Sequence, residues 1–308
     1  MKLRLLITGG NGYIGSNFVK FFGKKHDLYI LDINKNKKKL KNVKKFYEFN
    51  IKNQNKFCKI VKQNKIDGII HLAAKIDAHE SIKKKKLYFK NNYEYSVKIF
   101  NSAKFLKVKY FIFASSAAIY GIKKKKFKET DTKLPINPYG AYKLKFENYM
   151  VKNKKNIKIA ILRFFNVIGN YPTDRLKKNK LPIVPKIQSS LVYKKKLKIF
   201  GDNHNTEDGT AARDYIHVED VVKIINKSLL LMKKNKKKLI INCGTGKITT
   251  ILDLIKFFEK KYRTLINVEF LKKKQGDPSE VISINKHLIK DIGYKFKYKN
   301  INLILKNL

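Results

Sequence analysis

With 308 residues, 43% of them hydrophobic, the chain is long enough to bury one large core or two packed lobes, and no apolar run reaches the roughly eighteen residues of a membrane-spanning helix. The formal net charge of +48 would ordinarily point to nucleic acid or an anionic surface, but the excess is almost all lysine, in runs at 83–86, 123–126, 194–196 and 236–238 scattered between structural segments. A specific nucleic-acid reader would instead group arginine forks and stacked aromatics in one patch. Cys58 and Cys243 lie far apart with no His or Cys at ligand spacing, so neither a disulfide framework nor a metal site is expected. The N-terminal residues carry no signal-peptide pattern, and a cytoplasmic location is expected.

The chain opens with an apolar run at 3–7, then Gly9, Gly12 and Gly15, then a helix-patterned stretch with Phe18, Val19, Phe21 and Phe22. Strand, glycine loop and helix in this order let the backbone approach a pyrophosphate while the helix N-terminus binds its charge. The spacing is Gly-x-x-Gly-x-x-Gly rather than Gly-x-Gly-x-x-Gly, and a glycine triplet alone also marks a tight turn. A second apolar run at 28–31 ends in Asp32, about twenty residues beyond the loop, where a carboxylate can accept hydrogen bonds from ribose hydroxyls.

Residues 34–45 read as a polar surface loop, 45–49 as a short strand ending at Asn50 and Ile51, and 53–63 as a helix. A fourth strand at 67–72 runs into Ala73 and Ala74, whose small side chains suit either a close cofactor or close helix packing. A long helix is expected over 87–105, then a strongly apolar strand at 110–113 that ends at Ser115 and Ser116. This alternation predicts an α/β protein with a doubly wound parallel sheet. In such sheets ligands bind beyond the carboxyl ends of the strands, where Gly9 to Gly15, Asp32, Ala73 and Ser116 all fall.

Pro138 suits the first turn of the next helix, and Tyr139 and Lys143, four residues apart, share one face of it. Tyrosine ionises near pH 10, but a neighbouring ammonium and a positive nicotinamide ring would both favour the phenolate. With Ser116 able to hydrogen-bond the same substrate oxygen, the three side chains form a proton relay. Tyr-x-x-x-Lys arises by chance in any lysine-rich chain; the ordered set of glycine loop, Asp32, Ser116 and Tyr139 carries the weight.

These stretches, together with Ser115-Ser116-Ala117-Ala118-Ile119-Tyr120-Gly121, Pro138-Tyr139-Gly140-Ala141-Tyr142-Lys143, Arg163-Phe164-Phe165-Asn166 and above all the run IFGDNHNTEDGTAARDYIHV at 199–218, resemble the UDP-glucose (UDP-galactose) 4-epimerases of the extended short-chain dehydrogenase/reductase family. The resemblance covers essentially the whole chain. It implies a Rossmann-like doubly wound parallel sheet over 1–166, with a return segment at about 213–245, and a smaller C-terminal α/β substrate lobe built mainly from 167–308. It implies NAD as cofactor, contacted by Gly9, Gly12, Tyr13, Ile14, Gly15, Asp32, Asn50, Ile51, Leu72, Ala73, Ala74, Asn92, Ser116, Tyr139, Lys143 and Phe165. It implies UDP-glucose and UDP-galactose as substrates, held by Ser116, Tyr139, Asn166, Ile199, Phe200, Arg213, Lys274 and Val281, and interconverted by C4 oxidation, rotation of the 4-keto sugar and re-reduction, with Tyr139, Lys143 and Ser116 catalytic. Pairing of two copies through the helices at 87–105 and 139–151 is implied by analogy.

Several positions depart from the family pattern. Asn50 stands in place of an aspartate, Ile76 of a lysine with Lys75 beside it, Ala118 of a threonine, Pro182 of an asparagine and Lys274 of an arginine. Val281 falls where the family gates the size of the sugar 2-substituent. The readings left beside the principal one are a 4-epimerase of another UDP-sugar, such as a UDP-N-acetylhexosamine or a uronic acid, and a catalytically idle, lysine-rich nucleic-acid-binding protein.

Overall fold

A computed structural model describes residues 2–34, 40–122, 126–171, 176, 181–274 and 277–306. The loop read at 34–45 and the lysine run at 123–126 lie partly outside the described residues. Six strands come first: β1 (Arg4–Thr8), β2 (Asp27–Asp32), β3 (Lys45–Glu48), β4 (Gly68–His71), β5 (Tyr110–Ser116) and β6 (Lys158–Phe164). Then β7 (Asn166–Ile168), β8 (Leu197–Phe200) and β9 (Ala212–His217) lie apart from them, and β10 (Lys238–Cys243) rejoins them. The resulting sheet has seven strands in the order β10-β6-β5-β4-β1-β2-β3, all paired parallel. The strand order reverses between β1 and β4, which opens the crevice typical of ligand sites in this architecture.

Near-continuous apolar strands such as Leu5-Leu6-Ile7 and Phe111-Ile112-Phe113 require cover on both faces. Alternate side chains point to opposite sides. Leu5 and Ile7 join Phe18 of α1 (Tyr13–Phe22) in one core, while Leu6 joins Phe57 of α2 (Gln54–Gln63) in the other. Next come α3 (Ala78–Lys83), α4 (Lys85–Phe89), α5 (Tyr95–Phe105) and α6 (Pro138–Lys152). Phe100 of α5 and Phe146 of α6 complete the second core. After α7 (Ile183–Tyr193), α8 (Val218–Lys233) covers the first face through Val221, Ile225 and Leu229.

The remaining elements, α9 (Ile251–Tyr262), α10 (Lys286–Lys290) and α11 (Ile301–Lys306) with β11 (Ile248–Thr250), β12 (Val268–Leu271) and β13 (Glu280–Val281), include most of a smaller layer. There β9 pairs with β7, β11 and β13, and β8 pairs with β12. The segment expected to return to the large sheet at Arg213 is thus β9 of this small sheet, and the return is made by α8 and β10.

One local expectation is corrected. The helix expected over 87–105 is α4 and α5 joined by a π-helical turn at Lys90–Glu94. That wider turn contains the buried Asn92, whose amide accepts from the Lys75 N–H at 2.9 Å and donates to the Lys75 carbonyl at 2.8 Å. The helix α3, at six residues, is too short for its apolar period to be read in the sequence. Among the described residues no helix is long and apolar enough to cross a membrane.

Candidate active site

The crevice between β1 and β4 deepens into a cavity of about 1040 Å³ that runs from the glycine loop to the small sheet. That is at or above the upper end of ordinary small-molecule pockets, roughly 300–1,000 Å³. At its first end, Gly9 adopts φ +71°, and a Cβ there would lie 2.8 Å from the Ala73 nitrogen; at Gly15 it would lie 2.6 Å from the Gly10 Cα. Only glycine lets the loop close so tightly on β4 and on itself. The helix α1 starts after Gly12, so no side chain caps it, and its first-turn N–H groups have no intrahelical partner. Gly12, Tyr13, Ile14 and Gly15 line the cavity there.

Asp32 ends β2 on the same wall. Its carboxylate is oriented by the N–H groups of Asn11 and Asn34, each at 3.0 Å. Asn50, Ile51, Leu72, Ala73 and Ala74 also line this end. Asn92 does not: it sits behind the wall and shapes it through Lys75.

In the middle, Ser116 at the end of β5, Tyr139 and Lys143 come together. Asn137 caps α6 by accepting from the Gly140 N–H at 2.9 Å, with Pro138 in the first turn. Burial pushes the Tyr139 phenol above its ordinary value, against the nearby Ser116 hydroxyl, which favours the phenolate. The Lys143 ammonium lies one turn on, 5.9 Å from the Tyr139 ring centre and 4.6 Å from that of Phe113. It donates to the Ala114 carbonyl at 2.6 Å.

Burial holds Lys143 down at about 7, against the attraction of Glu147. Its side chain is charged in the unfolded chain up to about pH 10.4, so the unfolded state binds more protons between about 7 and that value, and folding stability should climb with pH across this window. In Lys143→Met the slope is expected to vanish, with stability at neutral pH raised by on the order of 1 kcal/mol or more while turnover is lost. Unfolding curves of the cofactor-free proteins at several pH values read this directly.

At the far end, Phe165, Asn166, Arg213, Lys274 and Val281 line the cavity. The Arg213 guanidinium donates to Asp277 Oδ1 at 2.6 Å and to the Ala212 and Ser279 carbonyls at 2.8 and 3.1 Å. Its carboxylate partner is therefore Asp277, not the adjacent Asp214, which is buried and accepts from Thr245, Gly246 and Ser283. Ile199 and Phe200 are not on the wall. Ile199 is buried in the core of the small layer, and the Lys274 ammonium lies over the Phe200 ring, 3.9 Å from its centre. All the departing positions, Asn50, Ile76, Ala118, Pro182 and Lys274, face the cavity, as does Lys75.

One positioning residue escaped the sequence. Ser81 of α3 is fully buried and its hydroxyl accepts from the Tyr139 N–H at 3.1 Å, which ties the start of α6 to the opposite wall of the crevice. Nothing in the sequence around it signals this, because the partner lies 58 residues away.

The chain is 33% identical to a UDP-glucose 4-epimerase of Lactobacillus helveticus over 98% of its own length and 95% of the relative's. Its structure matches a UDP-Glc/GlcNAc 4-epimerase from Campylobacter jejuni at 30% identity with a TM-score of 0.81, covering 99% of this chain and 97% of that one. A UDP-glucose 4-epimerase from Bifidobacterium longum, solved in complex with NAD+ and UDP, matches at 26% identity with a TM-score of 0.86, covering 99% and 97%. The model of the NAD dependent epimerase/dehydratase family matches residues 5–244, and the chain belongs to that family.

Proposed function

We propose that this protein is a UDP-glucose 4-epimerase, interconverting UDP-glucose and UDP-galactose with NAD as resident cofactor. The observation that carries the reading is the convergence of Ser116, Tyr139 and Lys143 on one stretch of wall, with the Lys143 ammonium 5.9 Å from the Tyr139 ring centre, midway along a cavity that has a glycine loop at one end and Arg213 at the other. The residues present fit NAD: Gly9 and Gly15 keep the loop free of side chains, the N-terminus of α1 faces the cavity, and the Asp32 carboxylate is held in place beside it. Bound there, NAD supplies the reversible two-electron acceptor that chemistry at a sugar carbon requires.

The chain's own residues then handle the proton and the position of the sugar. Tyr139, as phenolate, takes the proton from the 4-hydroxyl and later returns it. The Lys143 ammonium favours the phenolate, since an opposite charge nearby stabilises the ionised form. Ser116 hydrogen-bonds the same oxygen. Arg213 supports the diphosphate, for which a guanidinium fork is suited, and Asp277 preorganises that fork until the substrate arrives. The width of the cavity gives the 4-keto sugar room to present either face, and Val281 in β13 borders it.

A second copy of the chain is proposed to pack on the helices α4 to α6, where Phe89, Tyr93 and Tyr142 form a half-exposed aromatic cluster.

The test is NMR of the purified protein with NAD supplied and either UDP-galactose or UDP-N-acetylgalactosamine. Formation of the 4-epimer of UDP-galactose is expected. Equal or faster turnover of the N-acetylated sugar would assign Val281 to a wider sugar site, and no turnover of either would overturn the assignment.

A further inference from the structure

The relay of Tyr139, Lys143 and Ser116 leaves a neighbouring carboxyl group unused. Glu147 lies one turn beyond Lys143 on α6, so Tyr139, Lys143 and Glu147 form a single stripe along the helix, with successive Cβ atoms roughly 5–6 Å apart. Glu147 is 2% exposed, and a carboxylate so deep stays ionised only with partners. The structure provides them. Arg163 Nη2 donates at 2.7 Å and its Nε lies 3.2 Å from each carboxylate oxygen, while the Ser115 hydroxyl donates to Oε1. Ser115 immediately precedes Ser116, which lines the cavity together with Tyr139.

We propose, resting on the epimerase reading of this site, that Glu147 is a positioning residue of the proton relay: its buried carboxylate keeps Lys143 in the ammonium form and, through Ser115, fixes the end of β5 that presents Ser116. The other groups facing Lys143 do not supply a negative charge. From β5 come the Ala114 carbonyl and the Phe113 ring. From β4 comes His71, which burial pushes down to about 3; it is neutral, with its ring nitrogens on the Thr8 and Ser96 hydroxyls at 2.7 and 2.9 Å. Tyr139 shares α6. Arg163 of β6 carries a positive charge that opposes the ammonium and is itself tied to Glu147. A Glu147 that only clamped α6 to β6 would leave the ionisation of Lys143 untouched, which separates the two roles.

The experiment is carbamylation of the cofactor-free protein by cyanate over roughly pH 5 to 10, with labelling at Lys143 followed by peptide mass spectrometry. Only the neutral amine reacts, so the rate reports its titration. In Glu147→Gln the Lys143 midpoint is expected to fall by about one unit, seen as roughly tenfold faster labelling below the midpoint, and the alkaline side of the kcat–pH profile should move down with it. Glu147→Asp, which keeps the charge, should recover part of the shift. If Glu147→Gln does not fold, the double variant Glu147→Gln/Arg163→Met, which removes both buried charges, is measured in its place. A folded Gln variant with an unmoved Lys143 midpoint overturns the role of Glu147. Absence of epimerase turnover in the unsubstituted protein, with the midpoint still shifted in the variant, overturns the reading of the site and leaves the electrostatic coupling standing.

Discussion

Tyr139→Phe is expected to lower kcat by about 10²–10⁴, the range for losing a positioned general acid–base group, with little change in cofactor affinity. The substitution removes one oxygen and leaves the ring, which lines the cavity, so packing and helix register persist. What disappears is the group that accepts the 4-hydroxyl proton, and no neighbour replaces it. The Ser116 hydroxyl is too weak a base, and the Lys143 ammonium is directed at the Ala114 carbonyl. Burial raises the Tyr139 pKa and lowers that of Lys143 to about 7 in the cofactor-free protein, so the phenol is not yet in its working protonation state, whereas Lys143 still holds its proton in part. A positive cofactor ring and a bound sugar would shift the phenol back down. Steady-state NMR turnover and a fluorescence titration with NADH separate the two quantities; equal turnover in the variant would remove Tyr139 from the mechanism.

The largest effect on stability is expected from Arg163→Met, a loss of about 3–5 kcal/mol, as when one partner of a buried ion pair is removed. Arg163 and Glu147 are 3% and 2% exposed, and the guanidinium also donates to the Tyr120 hydroxyl at 2.8 Å and to the Glu129 carbonyl at 2.9 Å. Without it the Glu147 carboxylate is left buried with the Ser115 hydroxyl and a more distant Lys143. The deficit should shrink as pH falls, because protonating Glu147 removes the stranded charge. Replacing both residues by methionine should recover most of the loss, since the apolar pair carries no desolvation cost. Denaturant unfolding of the single and double variants checks both statements, and a double variant no more stable than the single would contradict them.

Much of the site was legible from the amino-acid sequence because its signals are local. Strand, glycine loop and helix occupy one stretch of the chain. Asp32 follows the next apolar run, Ser116 ends another, and Tyr139 and Lys143 are a single helical turn apart. Alternating apolar strands and helix-patterned segments likewise announced the parallel sheet, since strands buried on both faces cannot be anything but continuously apolar. The family resemblance added the far end of the cavity, and there residue type was a poorer guide to placement. Ile199 sits in a core because β8 alternates inward and outward, and the Phe200 ring lies under the Lys274 ammonium, which comes from a segment more than seventy residues later.

What only the tertiary structure decided is which polar groups are buried together. Ser81 on Tyr139, Asn92 on Lys75, Arg163 and Ser115 on Glu147, and Asp277 on Arg213 are pairs that loop closure brings together from separate segments. Serine, asparagine and glutamate at such positions look the same in the sequence as their solvent-facing counterparts. Their identity as positioning groups arises from desolvation, which is a property of the packed chain: once water is removed, each buried donor or acceptor must find a partner, and that partner is chosen by the fold.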